Sequence, residues 1–128
     1  MASRRDKHHA RRSSLAALGK NLSRRARSRC ELCEATGRLT VVEIPGAPEE
    51  PEEAWALLAC DRCRPIIEGE TRFRPEEVET LRFLTTSMWS ELQGAQIVAV
   101  RALRGLDTSW SREALDGLWL DEAVEALI

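Results

Sequence analysis

Residues 30–40 read CELCEATGRLT, and a second motif, CDRC, occupies residues 60–63. The two Cys-x-x-Cys motifs are separated by 26 residues and contain all four cysteines of the chain. Each motif spaces two sulfurs for one tetrahedral metal ion, and a pair of motifs completes the four-thiolate shell of a structural zinc site. The sequence therefore predicts one Zn²⁺ per chain, and its expected ligands are Cys30, Cys33, Cys60 and Cys63.

Three other uses of paired cysteines are weaker interpretations. A redox motif needs only one Cys-x-x-Cys pair, at a helix N-terminus within a βαβ unit, and the sequence shows no such unit. Disulfides are disfavoured because the N-terminus has no apolar segment of signal-peptide length, and no apolar run is long enough to span a membrane. A cytoplasmic location, in which thiols stay reduced, is therefore expected. An iron site of the rubredoxin type is the minor alternative to zinc.

The residues around the cysteines predict a small α+β fold. One β-strand is expected over residues 38–44 and another over residues 54–59, and the acidic, proline-rich loop between them favours a hairpin. Pro65 lies shortly after Cys63 and suits the first turn of a helix, because an N–H at that position would have no hydrogen-bond partner within the helix. The order knuckle, hairpin, knuckle and helix is that of a treble clef, whereas without the helix it would be a zinc ribbon, and both stay open. Residues 30–70 are the predicted zinc-binding module.

Residues 71–128 are expected to form a helical region that packs on the zinc-binding module. Pro75 suits a first helical turn, and Ser87 is expected to cap a longer helix that ends near Leu106. The tryptophans of this region are interpreted as anchors of the core, and they are Trp89, Trp110 and Trp119.

Charge is divided unevenly along the chain. Residues 1–29 hold ten Arg or Lys and one acidic residue, whereas residues 30–128 hold nine Arg and twenty Asp or Glu. Leucines at helical spacing among the N-terminal cations predict a basic amphipathic helix over residues 11–29, with its apolar face on the zinc-binding module. Residues 1–10 are expected to be a disordered basic tail.

A basic segment ahead of an acidic body is typical of proteins that contact nucleic acid or an acidic protein partner. Two alternatives stay open, because the segment could instead pair with the acidic body of its own chain or serve only solubility. The sequence indicates no membrane partner and no small-molecule substrate. The candidates for nucleic-acid contact are Arg4, Arg5, Lys7, Arg11, Arg12, Lys20, Arg24, Arg25 and Arg27.

The predicted zinc shell argues against catalysis at the metal. A catalytic zinc keeps one coordination position open for water, and four cysteine ligands leave none. A nuclease of the HNH type would need a histidine on the strand after the first knuckle, but the only histidines are His8 and His9 in the basic segment. We therefore expect no enzymatic activity. The alternative is a degenerate hydrolase derived from an HNH nuclease or another treble clef, with a separate divalent-metal site that uses Glu43 and Glu68.

Three arginines flank the predicted ligands. Four thiolates around one divalent ion carry a net negative charge, which nearby guanidinium groups could offset by hydrogen bonding close to the sulfurs. Arg29, Arg62 and Arg64 are the candidates for this role, and the alternative is that they are ordinary solvated side chains.

Four short stretches occur in the order found in one bacterial family. They are RCELC at residues 29–33, LACDRCR at 58–64, SMWSE at 87–91 and LDE at 120–122. On these stretches the chain resembles the PhnA-like proteins over about residues 28–123. The resemblance implies zinc bound by the four cysteines, without an established activity, and phosphonate hydrolysis does not follow from the family's name. We expect the family's C-terminal SH3-like domain to be lacking here, and residues 1–27 to be an addition that can be removed with the fold of residues 28–128 largely intact.

Overall fold

The computed structural model describes residue 15, residues 17–70 and residues 72–128, and these form a small α+β fold with a two-stranded antiparallel sheet. None of the helices in this described part could span a bilayer. Short 3₁₀ turns cover Glu53–Trp55 and Glu79–Leu81. The strands are β1 (Thr40–Glu43) and β2 (Ala56–Ala59), and the helices are α1 (residues 17–26), α2 (Arg64–Ile67), α3 (Pro75–Val78), α4 (Leu84–Ser87), α5 (Gln93–Leu106), α6 (Ser109–Asp116) and α7 (Glu122–Glu125).

The β-hairpin separates two apolar layers. Its register places Val42 opposite Leu57 and Val41 opposite Leu58. Because neighbouring residues of a strand face opposite sides of the sheet, Val42 and Leu57 lie in the main core, whereas Val41 and Leu58 lie in a second, smaller cluster. Each strand is shorter than its predicted range of residues 38–44 or 54–59. Residues 54 and 55 belong to a 3₁₀ turn, although the Ile44 N–H still donates to the Trp55 carbonyl at 2.8 Å.

Helix α5 is the centre of the main core. It has 14 residues, and most of them are buried against β2, α2, α4 and α6. Gly94 permits a close approach to the hairpin, since a Cβ at this position would lie 2.7 Å from Ile44 Cδ1. The helix ends at Asp107, which takes a left-handed conformation with a φ of 49°.

Helix α1 covers the other face of the hairpin. Leu22 is fully buried in the second cluster with Ala56 and Leu58, and Leu18 packs beside them. The apolar face of the basic helix therefore docks on the hairpin, as the leucine spacing predicts.

The C-terminal end of α1 differs from the predicted range of residues 11–29. Arg27 and Ser28 take positive φ values of 53° and 64°, which are incompatible with a continuing α-helix. The predicted tail, residues 1–10, lies outside the described residues.

The prediction that tryptophans anchor the core is wrong for two of the three. Trp89 is 55% exposed and Trp119 is 78% exposed. Trp110 is partly buried, and the Arg82 guanidinium lies over its ring at 5.1 Å from the centroid. The largest fully buried side chains are instead aliphatic residues, most of them from the hairpin and from α4 and α5.

Candidate metal centre

The first cysteine pair lies in a tight turn between α1 and β1. The Cys30 N–H donates to the Ala35 carbonyl at 2.8 Å, and the Glu34 N–H donates to the Cys30 carbonyl at 2.8 Å. Glu34 takes a positive φ of 69° within this turn. Main-chain hydrogen bonds therefore fix the segment that carries Cys30 and Cys33, which we call the first cysteine turn (residues 30–35).

The second cysteine pair joins β2 to α2. Cys60 follows the last residue of β2, and Cys63 precedes the first residue of α2. The N–H groups of Cys63 and Arg64 both donate to the Cys60 carbonyl, at 3.1 and 3.2 Å. Pro65 occupies the first turn of α2, as predicted, where it removes no helical hydrogen bond.

The four cysteine sulfurs come together between these two turns. All four Sγ atoms lie within 4.8 Å of one another, and those of Cys33 and Cys60 are 3.7 Å apart. Four sulfurs on a tetrahedron about 2.3 Å from a zinc ion would be about 3.8 Å from one another. The cysteines are free thiols, with Cys30 and Cys63 buried and Cys33 and Cys60 partly exposed. Their spacing and sulfur chemistry therefore fit a zinc ion.

Three of the thiols, those of Cys30, Cys33 and Cys63, influence one another's ionisation. The hydrogen bond from Cys63 lowers the pKa of Cys30 to about 4. Burial raises the pKa of Cys33 to about 11, and the hydrogen bond to Cys30, together with burial, raises the pKa of Cys63. The thiolate of Cys30 is therefore stabilised, whereas those of Cys33 and Cys63 are disfavoured. A divalent cation in contact with all four sulfurs would stabilise four thiolates together.

Glu31, which lies between the ligands of the first motif, ties the first cysteine turn to α1 and β2. Its side chain is 1% exposed. The carboxylate accepts hydrogen bonds from Arg25 Nε and Nη2 at 2.7 and 2.8 Å, and from the Leu58 N–H at 2.8 Å. Arg25 Nη2 also donates to the Ala56 carbonyl at 2.9 Å. This network was not predicted from the sequence, because no local pattern pairs residue 25 with residue 31.

Ser87 connects the helical region to the same turn. Its Oγ donates to the Leu32 carbonyl at 2.6 Å in a buried environment. Ser87 is the last residue of α4, and α5 begins at Gln93. The prediction that Ser87 caps a long helix is therefore wrong, and its hydroxyl instead holds the main chain between the two ligands of the first motif.

Replacing Ser87 by alanine is expected to destabilise the zinc-loaded protein by about 1–2 kcal/mol, because the buried Leu32 carbonyl loses its donor. Urea unfolding measures the change. Thr86→Ala removes the neighbouring, exposed hydroxyl and is the matched control, with an expected change below about 0.5 kcal/mol. Equal effects of the two substitutions would contradict the role given to Ser87.

The structure places the predicted nucleic-acid candidates in three groups. Lys20 and Arg24 on α1 are exposed, as is Arg27 just beyond it. Arg25 differs from these three, because its guanidinium donates to the Glu31 carboxylate and to the main-chain carbonyls of Glu53 and Ala56. The remaining candidates lie outside the described residues, and they are Arg4, Arg5, Lys7, Arg11 and Arg12.

Two of the three arginines that flank the ligands have other partners. Arg62 Nη2 donates to the Thr80 carbonyl at 2.6 Å, and Arg64 Nε donates to Glu68 at 3.1 Å. Arg29 is exposed. In the part of the chain that the structure describes, no hydrogen bond joins these three guanidinium groups to a cysteine sulfur.

The carboxylates of the alternative hydrolase site belong to no group of three or more metal-ligating side chains among the described residues. Glu43 lies in β1, whereas Glu68 lies just after α2 and lines a cavity of about 400 Å³ with Glu70 and Arg101. Glu43 does not line this cavity. Among residues 17–70 and 72–128, the four cysteines are the only group of three or more Cys, His, Asp or Glu that could hold a metal ion.

The fold and the site define a small α+β protein with a four-cysteine centre that could hold a metal ion. Comparisons with protein-family models, with curated proteins and with solved structures found no significant match. The chain's own residues and geometry therefore carry the functional argument.

Proposed function

We propose that the protein is a non-catalytic, PhnA-like zinc module in which Cys30, Cys33, Cys60 and Cys63 hold one structural Zn²⁺. The observation that carries this proposal is the convergence of the four Sγ atoms within 4.8 Å. A shell of four thiolates leaves no coordination position for water, so the ion serves the fold rather than chemistry. The order of knuckle, hairpin, knuckle and helical turn favours a treble clef over a plain ribbon. A reducing cytoplasm would keep the thiols available to the metal.

We further propose that the basic N-terminal segment (residues 4–29) contacts a macromolecule. Lys20, Arg24, Arg27 and Arg29 support it, because all four are exposed on α1 or directly after it. An acidic body disfavours polyanions elsewhere on the molecule, so the basic segment is where nucleic acid or an acidic protein would bind.

Truncation tests whether the basic segment contacts a macromolecule. The truncated chain must keep the contacts that hold α1 to the hairpin. Removing residues 1–27 would delete Leu22 and Arg25, which hold α1 to the hairpin, so the basic segment is not separable at that point. Removing residues 1–14 leaves α1 in place and deletes five Arg or Lys.

If nucleic acid is the partner, the full chain should bind duplex DNA, and binding should weaken with salt at a log–log slope of about −0.9 for each phosphate neutralised. The chain without residues 1–14 should show a shallower slope with unchanged zinc content. If the truncated chain instead loses stability at low salt and neither form binds DNA, the segment pairs with its own acidic body. Turnover of DNA that disappears in a Glu43→Gln or Glu68→Gln variant would overturn the non-catalytic assignment.

A further inference from the structure

The two outer edges of the β-hairpin differ. The edge of β2 is closed by the first cysteine turn and by α1. The Leu58 N–H donates to the Glu31 carboxylate, and the Leu58 carbonyl accepts from the Glu31 N–H, both at 2.8 Å. The Ala56 carbonyl accepts from Arg25 at 2.9 Å. No further strand can pair with β2 on this side.

The outer edge of β1 is open at Val41. Leu58, the residue opposite Val41, directs its main-chain groups away from β1, so the two form a non-hydrogen-bonded pair of the antiparallel ladder. The N–H and carbonyl of Val41 therefore face outward. Within the described part of the chain, no hydrogen bond reaches these two groups. An unpaired strand edge of this kind is a template for another strand.

A groove runs beside this open edge. Leu39, Val41 and Leu58 provide its apolar residues, and Lys20 and Arg24 of α1 lie along it with Ser23 between them. The groove has a volume of about 570 Å³. We call it the β1 groove. Lys20 and Arg24 are exposed, and neither forms an ion pair with another described residue. Helix α1 thus places Arg25 at the closed edge of the hairpin, and Lys20 and Arg24 at the open edge.

We propose that the β1 groove binds an extended acidic segment of a partner protein, which adds as a strand to β1 and pairs its carboxylates with Lys20 and Arg24. The main-chain groups of Val41 supply the strand pairing, and the side chains of the added strand that face α1 enter the groove. Because side chains in a strand alternate with a period of two, acidic residues at every second position would meet the two cations. This inference rests on the proposed function, since it names the partner of the basic segment.

Two other occupants fit the groove less well. A second copy that paired symmetrically through its own β1 would bring its own Lys20 and Arg24 to the same place, and like charges across an interface oppose association. A nucleic acid has phosphates for the cations but no peptide main chain to pair with Val41. Charge complementarity and the open edge together favour an acidic polypeptide.

The test uses the zinc-loaded full chain and a synthetic, end-capped peptide that alternates glutamate and valine. We expect the peptide to bind, and the Val41 amide resonance to shift and to exchange more slowly with solvent in the complex. The double variant Lys20→Glu/Arg24→Glu should lose at least about tenfold in affinity, because repulsion replaces two attractions. The matched control, Arg27→Glu/Arg29→Glu, makes the same charge change outside the groove and should bind within about twofold of the wild type.

Val41→Pro provides a second variant, since it removes the outward N–H without removing a bond to β2. Zinc content checks that each variant folds. Peptide binding that is equal in the groove variant and the wild type, or a Val41 amide that does not respond, overturns the proposal. The proposal is also overturned if the affinity for duplex DNA depends more strongly on Lys20 and Arg24 than on Arg27 and Arg29. If the peptide fails to bind while the zinc content and the truncation result hold, the groove assignment alone is wrong.

Discussion

Replacing Cys63 by serine is expected to abolish zinc binding and to unfold the part of the protein that contains the hairpin. Cys63 is fully buried, and its sulfur belongs to the group of four. Zinc binding contributes about 10–16 kcal/mol of apparent folding free energy in small four-ligand sites. That range matches the whole stability of a small domain, about 5–15 kcal/mol. Zinc content by mass spectrometry and the amide NMR spectrum measure the two expected losses.

The first cysteine turn offers a matched control for this variant. Glu34 is exposed and lies next to Cys33, so Glu34→Gln should keep one zinc ion per chain and a native spectrum. Wild-type protein in excess chelator should resemble Cys63→Ser, because both lack the same ion. A Cys63→Ser protein that retains zinc at full occupancy, or that folds without it, would contradict the structural role of the centre.

Replacing Glu31 by alanine is expected to destabilise the zinc-loaded protein by about 3 kcal/mol, near the lower end of the cost of breaking a buried ion pair. The lower end applies because Arg25 is 25% exposed, whereas Glu31 is 1% exposed. The substitution leaves the Leu58 N–H without its acceptor and Arg25 without its carboxylate. Chemical denaturation at saturating zinc measures the change.

A double-mutant cycle separates the pair from the other contacts of Glu31. Arg25→Ala and Glu31→Ala should together cost less than the sum of the two single substitutions, because each single variant already breaks the same interaction. The exposed pair of Arg64 and Glu68 is the control, and its cycle should give a coupling energy of at most about 0.5 kcal/mol. Additive effects at residues 25 and 31 would show that the buried pair does not couple α1 to the cysteine turn.

The candidate metal centre could be predicted because its signal is local. Each Cys-x-x-Cys motif sets its own sulfur spacing, and the strands between the motifs need only bring two turns together. The small α+β fold followed from the same reasoning, because the strand and helix patterns lie close to the cysteines. The convergence of the four sulfurs confirms that the two motifs meet, and the two-stranded sheet with its helices confirms the small α+β class.

The contacts that support the centre could not be predicted in this way. The Ser87 hydroxyl and the Leu32 carbonyl are 55 positions apart, and a single serine carries no signal of so distant a partner. Arg25 and Glu31 are near in sequence, but their pairing depends on the angle at which α1 crosses the hairpin. The exposure of Trp89 and Trp119 likewise could not be predicted locally, because it depends on the aliphatic residues of α5 that occupy the core.

Native mass spectrometry of the purified full chain, with and without a chelator, tests the central claim most directly. The account predicts a single species with one Zn²⁺ and four cysteines that resist alkylation. After chelation we expect a metal-free species with a broadened, unfolded-like charge distribution and four reactive thiols. A metal-free protein that keeps its compact charge distribution, or a purified protein with a disulfide between any two of the cysteines, would contradict the account.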